Sequence, residues 1–128
     1  YNSIKIKKNL SNISFHNFDI YLSKKIKNFD ILLHLSKREG LPVALMESLI
    51  EGLPVICYNI RGNNDLIKNE INGYFVKSYK EVPNIIYYLN LEVSLFNKMR
   101  KNAFKSINND YSKKKIYLNI FNIIKKLF

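Results

Sequence analysis

The chain has a single cysteine, Cys57, no tryptophan, four glycines, three prolines and only ten acidic residues among its 128. One cysteine excludes an internal disulfide and argues against a cysteine-ligated zinc site. Cys57 lies in an apolar stretch that reads as a strand, and a lone buried thiol fits a cytosolic setting. No apolar run is long enough to cross a bilayer, and no segment reads as a signal peptide. A Walker loop, a serine nucleophile elbow, a metal-ligand cluster, internal repeats and low-complexity linkers are all missing, so covalent and metal chemistry are not expected. The first residue is Tyr1 rather than methionine, which leads us to expect a fragment of a longer protein.

What is abundant is positive charge: 21 Lys and Arg against 10 Asp and Glu give a net charge of +11. Such a balance asks for an acidic partner, whether a nucleic acid, an anionic membrane surface or a diphosphate substrate. The cations form runs at 5–8, 24–27 and 113–115, with no zinc finger, homeodomain or other nucleic-acid motif beside them. Nucleic acid is therefore not expected as a partner. With 47% hydrophobic residues the chain has enough core for one domain, expected over 1–111, with an amphipathic helix over 112–128.

The most informative stretch is 30–73. Residues 30–35 are an apolar strand, 36–41 a polar loop, and a helix opens at Pro42 and closes at Gly52 before a second apolar strand at 55–58. This is a βαβ unit. Strands apolar along their whole length suit a parallel sheet covered on both faces, where ligands collect at the carboxyl ends of the strands. The expected fold is thus α/β, a Rossmann-like doubly wound parallel sheet.

The loop at such an end carries the chemistry. Backbone N–H groups of Gly40, Leu41 and Val43 lie at the helix start, where unpaired donors and the positive end of the dipole favour a phosphate. Glu39 is placed to reach sugar hydroxyls, and Lys37 and Arg38 to neutralise phosphate charge. Glu47, on an otherwise apolar helix start, would need a partner if buried, and a ribose diol offers two donors. Spacing alone also allows plainer readings. Glu47, Ser48 and Glu51 fall together on a helical wheel and could form a solvated stripe, while Glu39 could serve only the helix dipole.

Several spaced matches in order alter the balance. Ser36-x-x-Glu39-Gly40-Leu41-Pro42, Glu47 eight positions after Glu39, Gly52-Leu53-Pro54-Val55-Ile56, Asn59-Ile60-Arg61-Gly62-Asn63-x-Asp65-Leu66-Ile67 and Asn72-Gly73 resemble the donor-binding half of a retaining glycosyltransferase of family 4, with the GT-B fold. The wording is most similar to bacterial members that build capsular and exopolysaccharides, and the similarity runs over 12–77. The resemblance implies a nucleotide-sugar donor, UDP- or GDP-linked, and a glycan or lipid-linked acceptor held by an N-terminal domain that this chain lacks. It also implies transfer with retention of configuration, without a required metal or other cofactor. The departing diphosphate would be stabilised by the helix N-terminus with Arg38 or Lys37, because the upstream Arg/Lys pair of such enzymes is not in this chain. Glu39 becomes the catalytic candidate. Ser36, Lys37, Arg38, Gly40, Leu41, Val43 and Glu47 become donor-binding candidates, joined by Arg61, Gly62 and Asn63 near the donor's sugar.

Elsewhere the reading is less specific. Residues 12–15 read as a short strand ending at His16, which either stacks on the donor's base or is a surface turn histidine. The glycine and basic residues that such enzymes usually carry near Phe15, Asn17 and Phe18 are replaced here. Asp19 reads as the cap of a helix through Phe29. His34 fits a hydrogen-bonded or packed strand histidine better than a catalytic one. Asn63 or Asn64 should cap a helix through Lys68, and Asn72-Gly73 should turn into an alternating strand at 74–76. Helices are expected from Val82-Pro83 and over 93–107, the latter with Leu95, Met99, Ala103 and Ile107 on one face. The basic, amphipathic 112–128 segment would pack on protein or touch an anionic membrane, placing the protein in the cytoplasm or at its membrane face. A nucleotide-sugar epimerase, or a basic membrane- or nucleic-acid-binding module, is the rival reading. The epimerase is not expected to carry the Glu39 and Glu47 pair with this loop.

Overall fold

The computed structural model describes residues 12–14, 16, 25–111, 122 and 125. Among the described residues three strands form one parallel sheet in the order β1 (Leu32–His34), β2 (Val55–Tyr58), β3 (Gly73–Val76). The register sets Leu32 beside Val55 and His34 beside Cys57, and then Val55 beside Gly73 and Cys57 beside Phe75. The α-helices bounded within the described residues are α1 (Val43–Ile50), α2 (Asn63–Leu66), α3 (Val82–Leu91) and α4 (Val93–Asp110).

Alternation along the strands divides the core in two. Val55 and Cys57 point to one face, where Leu45 and Leu49 of α1 and Ala103 and Ile107 of α4 cover them. Ile56 points to the other face and meets Val76, Val82 and Ile85. This is the doubly wound, Rossmann-like arrangement expected from strands apolar on both faces. β3 alternates as expected, with Tyr74 and Val76 toward the Ile56 face and Phe75 toward the Cys57 face, and both faces are covered. Met99, Ala103 and Ile107 are buried on α4 as the periodicity predicts, while Leu95 is only half-buried.

Chain punctuation explains the helix limits. Pro42 is the N-cap of α1, and Gly52 leaves the helix at φ 72°, with its N–H donating to the Leu49 carbonyl and that of Leu53 to the Ser48 carbonyl. Pro83 sits in the first turn of α3, after a capping box in which Ser78 and Glu81 satisfy each other's backbone donors. Asn72 is fully buried and ties the turn before β3 to α4. Its Oδ1 accepts from Lys68 N–H at 2.7 Å, and its Nδ2 donates to the Leu66 carbonyl at 3.0 Å and to Ser106 Oγ at 3.1 Å.

Three expectations are corrected. Residues 12–14 are not a strand; Asn12 is in a turn and Ile13 and Ser14 join no ladder, which leaves Ile13 47% exposed. The helix before β1 stops at Asn28 in a 3-10 turn and leaves Phe29 extended and exposed; its expected start at Asp19 lies outside the described residues. The cap of α2 is Gly62, at φ 86°, rather than Asn63 or Asn64, and the helix ends at Leu66 because Ile67 turns extended to enter the core. The 112–128 segment lies outside the described residues apart from Asn122 and Lys125, which are helical and exposed. Among the described residues no helix is long and apolar enough to cross a membrane.

Candidate functional site

The carboxyl end of β1 runs directly into the loop 35–42, and the helix that follows starts with open donors. Among the described residues neither Val43 nor Ala44 N–H has a hydrogen-bond partner and no side chain caps the helix, and its first turn carries no acid. Such a start holds partial positive charge and suits an anion. Ala44 was not singled out from the sequence, although a helix leaves the N–H groups of its whole first turn without intrahelical partners. Gly40 and Leu41 lie exposed in the bend just before it, as expected.

Inside this loop Ser36 Oγ donates to the Arg38 carbonyl at 3.0 Å and shapes the turn. Glu39 folds back over it, and its Oε1 lies 3.1 Å from Nε2 of His34, the last residue of β1. An ionised carboxylate only accepts, so Nε2 carries the proton of this bond. The side chains are 19% and 28% exposed, so the pair is shielded without being sealed. No other described side chain hydrogen-bonds or pairs with Glu39. Lys37 and Arg38 are exposed, with no described carboxylate within ion-pair distance.

A second loop meets the first. Gly62 is buried against the 40–42 backbone so closely that a Cβ there would overlap the Gly40 carbonyl. Asn63 is fully buried, donates from Nδ2 to the Tyr58 carbonyl at 2.9 Å, and has an Oδ1 with no partner among the described residues. Arg61 stands exposed at the rim. The structure therefore brings Gly62 and Asn63 to the loop that carries Glu39. His16 is exposed and outside any regular element, and no hydrogen bond or ion pair joins it to a described residue of the loop.

Glu47 lies one turn into α1 and is half-buried. With fully buried Ser48 it borders a cleft of about 260 Å³ whose other walls include Ile26, Phe29, Ile31, Leu32, Ala44 and Leu53. The solvated-stripe reading thus holds for exposed Glu51 and fails for Ser48, whose Oγ is buried without a partner. Beneath the site, burial pushes the Cys57 thiol up to about 12, so it is protonated and inert near neutrality. Among the described residues no three His, Cys, Asp or Glu side chains cluster as a metal site.

A family profile, glycosyl transferases group 1, matches residues 2–106. The chain belongs to that family. This glycosyltransferase domain is 34% identical over 107 residues to the UDP-Gal:alpha-D-GlcNAc-diphosphoundecaprenol alpha-1,3-galactosyltransferase of Escherichia coli, covering 80% of the chain and 24% of that protein. To the poly(ribitol-phosphate) alpha-N-acetylglucosaminyltransferase of Staphylococcus aureus it is 27% identical over 123 residues, 90% of the chain and 25% of that protein. The domain spans about a quarter of the length of these relatives. Among solved structures, Anabaena HepE in complex with UDP superposes with a TM-score of 0.73 over 80% of the chain and 29% of that one, at 19% identity, a likeness of fold. The pneumococcal O-GlcNAc transferase GtfA in complex with UDP and GlcNAc gives a TM-score of 0.62 at 25% identity, over 83% of the chain and 23% of that one. The parallel sheet and its helices are thus part of a GT-B glycosyltransferase fold.

Proposed function

We propose that this domain binds the nucleotide-sugar donor of a retaining, family 4 glycosyltransferase that builds surface polysaccharide. The observation that carries the reading is the Glu39 carboxylate held 3.1 Å from His34 at the end of β1, in the loop that leads into the uncapped N-terminus of α1 and whose Gly40 carbonyl packs on Gly62. The donor is a nucleoside diphosphate sugar, UDP-linked as in the names and complexes of the relatives, with a GDP-linked donor the other choice.

In this reading the diphosphate lies at the open N–H groups of Val43 and Ala44, with Gly40 and Leu41 at its approach. Lys37, Arg38 and Arg61 add charge from the rim. Ser36 holds the loop. Glu47 accepts from the ribose diol beside the apolar cleft, and Glu39 accepts from the donor's sugar next to Gly62 and Asn63, with His16 at the base only if its turn approaches. Charge that develops on the departing diphosphate is met by fixed dipoles and cations, with no metal or cofactor in the scheme. A separate acceptor domain presents the glycan or lipid-linked acceptor, the sugar keeps its anomeric configuration, and the enzyme works in the cytoplasm, touching the anionic membrane face peripherally. Nucleic acid is not a partner.

Titration of the chain with UDP, GDP and a short duplex DNA at two salt concentrations tests the reading. UDP or GDP should bind, and Glu47→Ala should weaken that binding about tenfold to a hundredfold, the loss of a charge-assisted hydrogen bond. Preferential binding of DNA, or a nucleotide affinity unchanged in the Glu47 variant, would overturn it.

A further inference from the structure

We propose that His34 is a positioning residue for Glu39, holding one carboxylate oxygen through Nε2–H so that the other faces the sugar of the donor; this rests on the donor-site reading above. His34 is the last residue of β1 and lies in register with Cys57 of β2, whose own neighbour is Phe75 of β3. Its backbone is thus part of the ladder. Its side chain shares the sheet face of Leu32, which packs against the α1 and α4 core. Glu39, by contrast, sits in a loop beside Gly40, on whose Cβ side nothing lies within 4 Å. The loop's own bond, Ser36 Oγ to the Arg38 carbonyl, shapes the backbone and leaves the Glu39 side chain unconstrained.

A glutamate has three rotatable bonds, and immobilising it on binding costs entropy that a prior hydrogen bond removes. The 3.1 Å contact supplies that restraint from the most ordered part of the site. It also supplies the one described counterpart to the carboxylate, because Lys37, Arg38 and Arg61 do not pair with it. The arrangement is a carboxylate oriented by an imidazole, the pattern by which a supporting side chain fixes a working one.

The predicted effect falls on the sugar and spares the nucleotide. We would measure, on the 128-residue chain, affinities for UDP, UDP-galactose and UDP-N-acetylglucosamine in the wild type and in His34→Gln, His34→Asn, Glu39→Gln and the Asn/Gln double variant. Glutamine places an amide N–H where Nε2 stands, and asparagine is too short to do so. The ratio of nucleotide-sugar to UDP affinity should fall about tenfold in His34→Asn and Glu39→Gln, stay within about threefold of wild type in His34→Gln, and fall no further in the double variant. An unchanged ratio in His34→Asn, or an equal loss in His34→Gln, overturns the proposal. Imidazole nitrogen NMR reads the contact without ligand: a proton on Nε2 that changes environment in Glu39→Gln supports it, and a ring indifferent to that substitution overturns it. If the wild-type chain binds neither UDP nor either sugar nucleotide, the donor-site reading fails and the positioning role with it, and the ring spectrum then shows whether the contact itself exists.

Discussion

Gly62 concentrates more constraint than any other single residue near the site. Its φ of 86° excludes a comfortable side chain, and the Gly40 carbonyl occupies the space a Cβ would need. Gly62→Ala should therefore cost at least about 2 kcal/mol in a urea melt, from strain plus displacement of the 40–42 backbone, and weaken UDP binding by moving the helix start. Cys57 makes a prediction of a different kind. Its thiol is held protonated, with the folded value raised from 9.0 to about 12, so the folded state retains a proton that the unfolded state gives up. Stability from this group is full below pH 9 and is lost as pH rises from there toward 12. The stability gap between the wild type and Cys57→Ala, measured by denaturant melts at pH 7, 9 and 10.5, should narrow across the series. At neutral pH a thiol reagent should label Cys57 only as fast as the protein opens.

At the scale of elements, the turn before β3 is fastened to α4 through Asn72. Removing its amide leaves the Leu66 carbonyl and the Lys68 N–H without that partner. Asn72→Ala should cost about 2–4 kcal/mol of stability by thermal melt, with β3 the first strand to lose amide protection in hydrogen exchange. Helix α1 and its flanking strands were readable in advance, because Pro42, Gly52 and the apolar runs around them each allow little else. The cap of α2 was misread because an asparagine before a helix is ordinarily its cap; here Asn63 turns inward to the Tyr58 carbonyl, and the chain bends at Gly62 instead. The bond between His34 and Glu39 had no spacing signature at all. It joins a strand end to a loop five residues on, and only the path of the loop decides that they meet. Residues 12–14 alternate in a way that suits a strand, but a strand exists by virtue of a ladder partner, which no local pattern supplies.

The whole molecule is a basic body with a sheet covered on both faces and the candidate site at one end. In the proposed function it offers the donor's side of a cleft, and transfer needs an acceptor held in place with water kept out. We expect the isolated chain to bind UDP weakly and to release none from UDP-galactose or UDP-N-acetylglucosamine supplied with acceptor. Sustained release that disappears in Glu39→Ala would show that this wall suffices. The sheet's topology also governs how the protein comes into being. No described strand can pair until a whole crossover has been made: Leu32 must wait for Val55, and Val55 for Gly73. At ribosomal speeds β1 therefore spends roughly one to five seconds without its β2 partner. During that interval its apolar side chains are what a trigger-type chaperone would hold, so yield on expression should depend on translation rate and chaperone supply more than on the equilibrium stability of the finished domain.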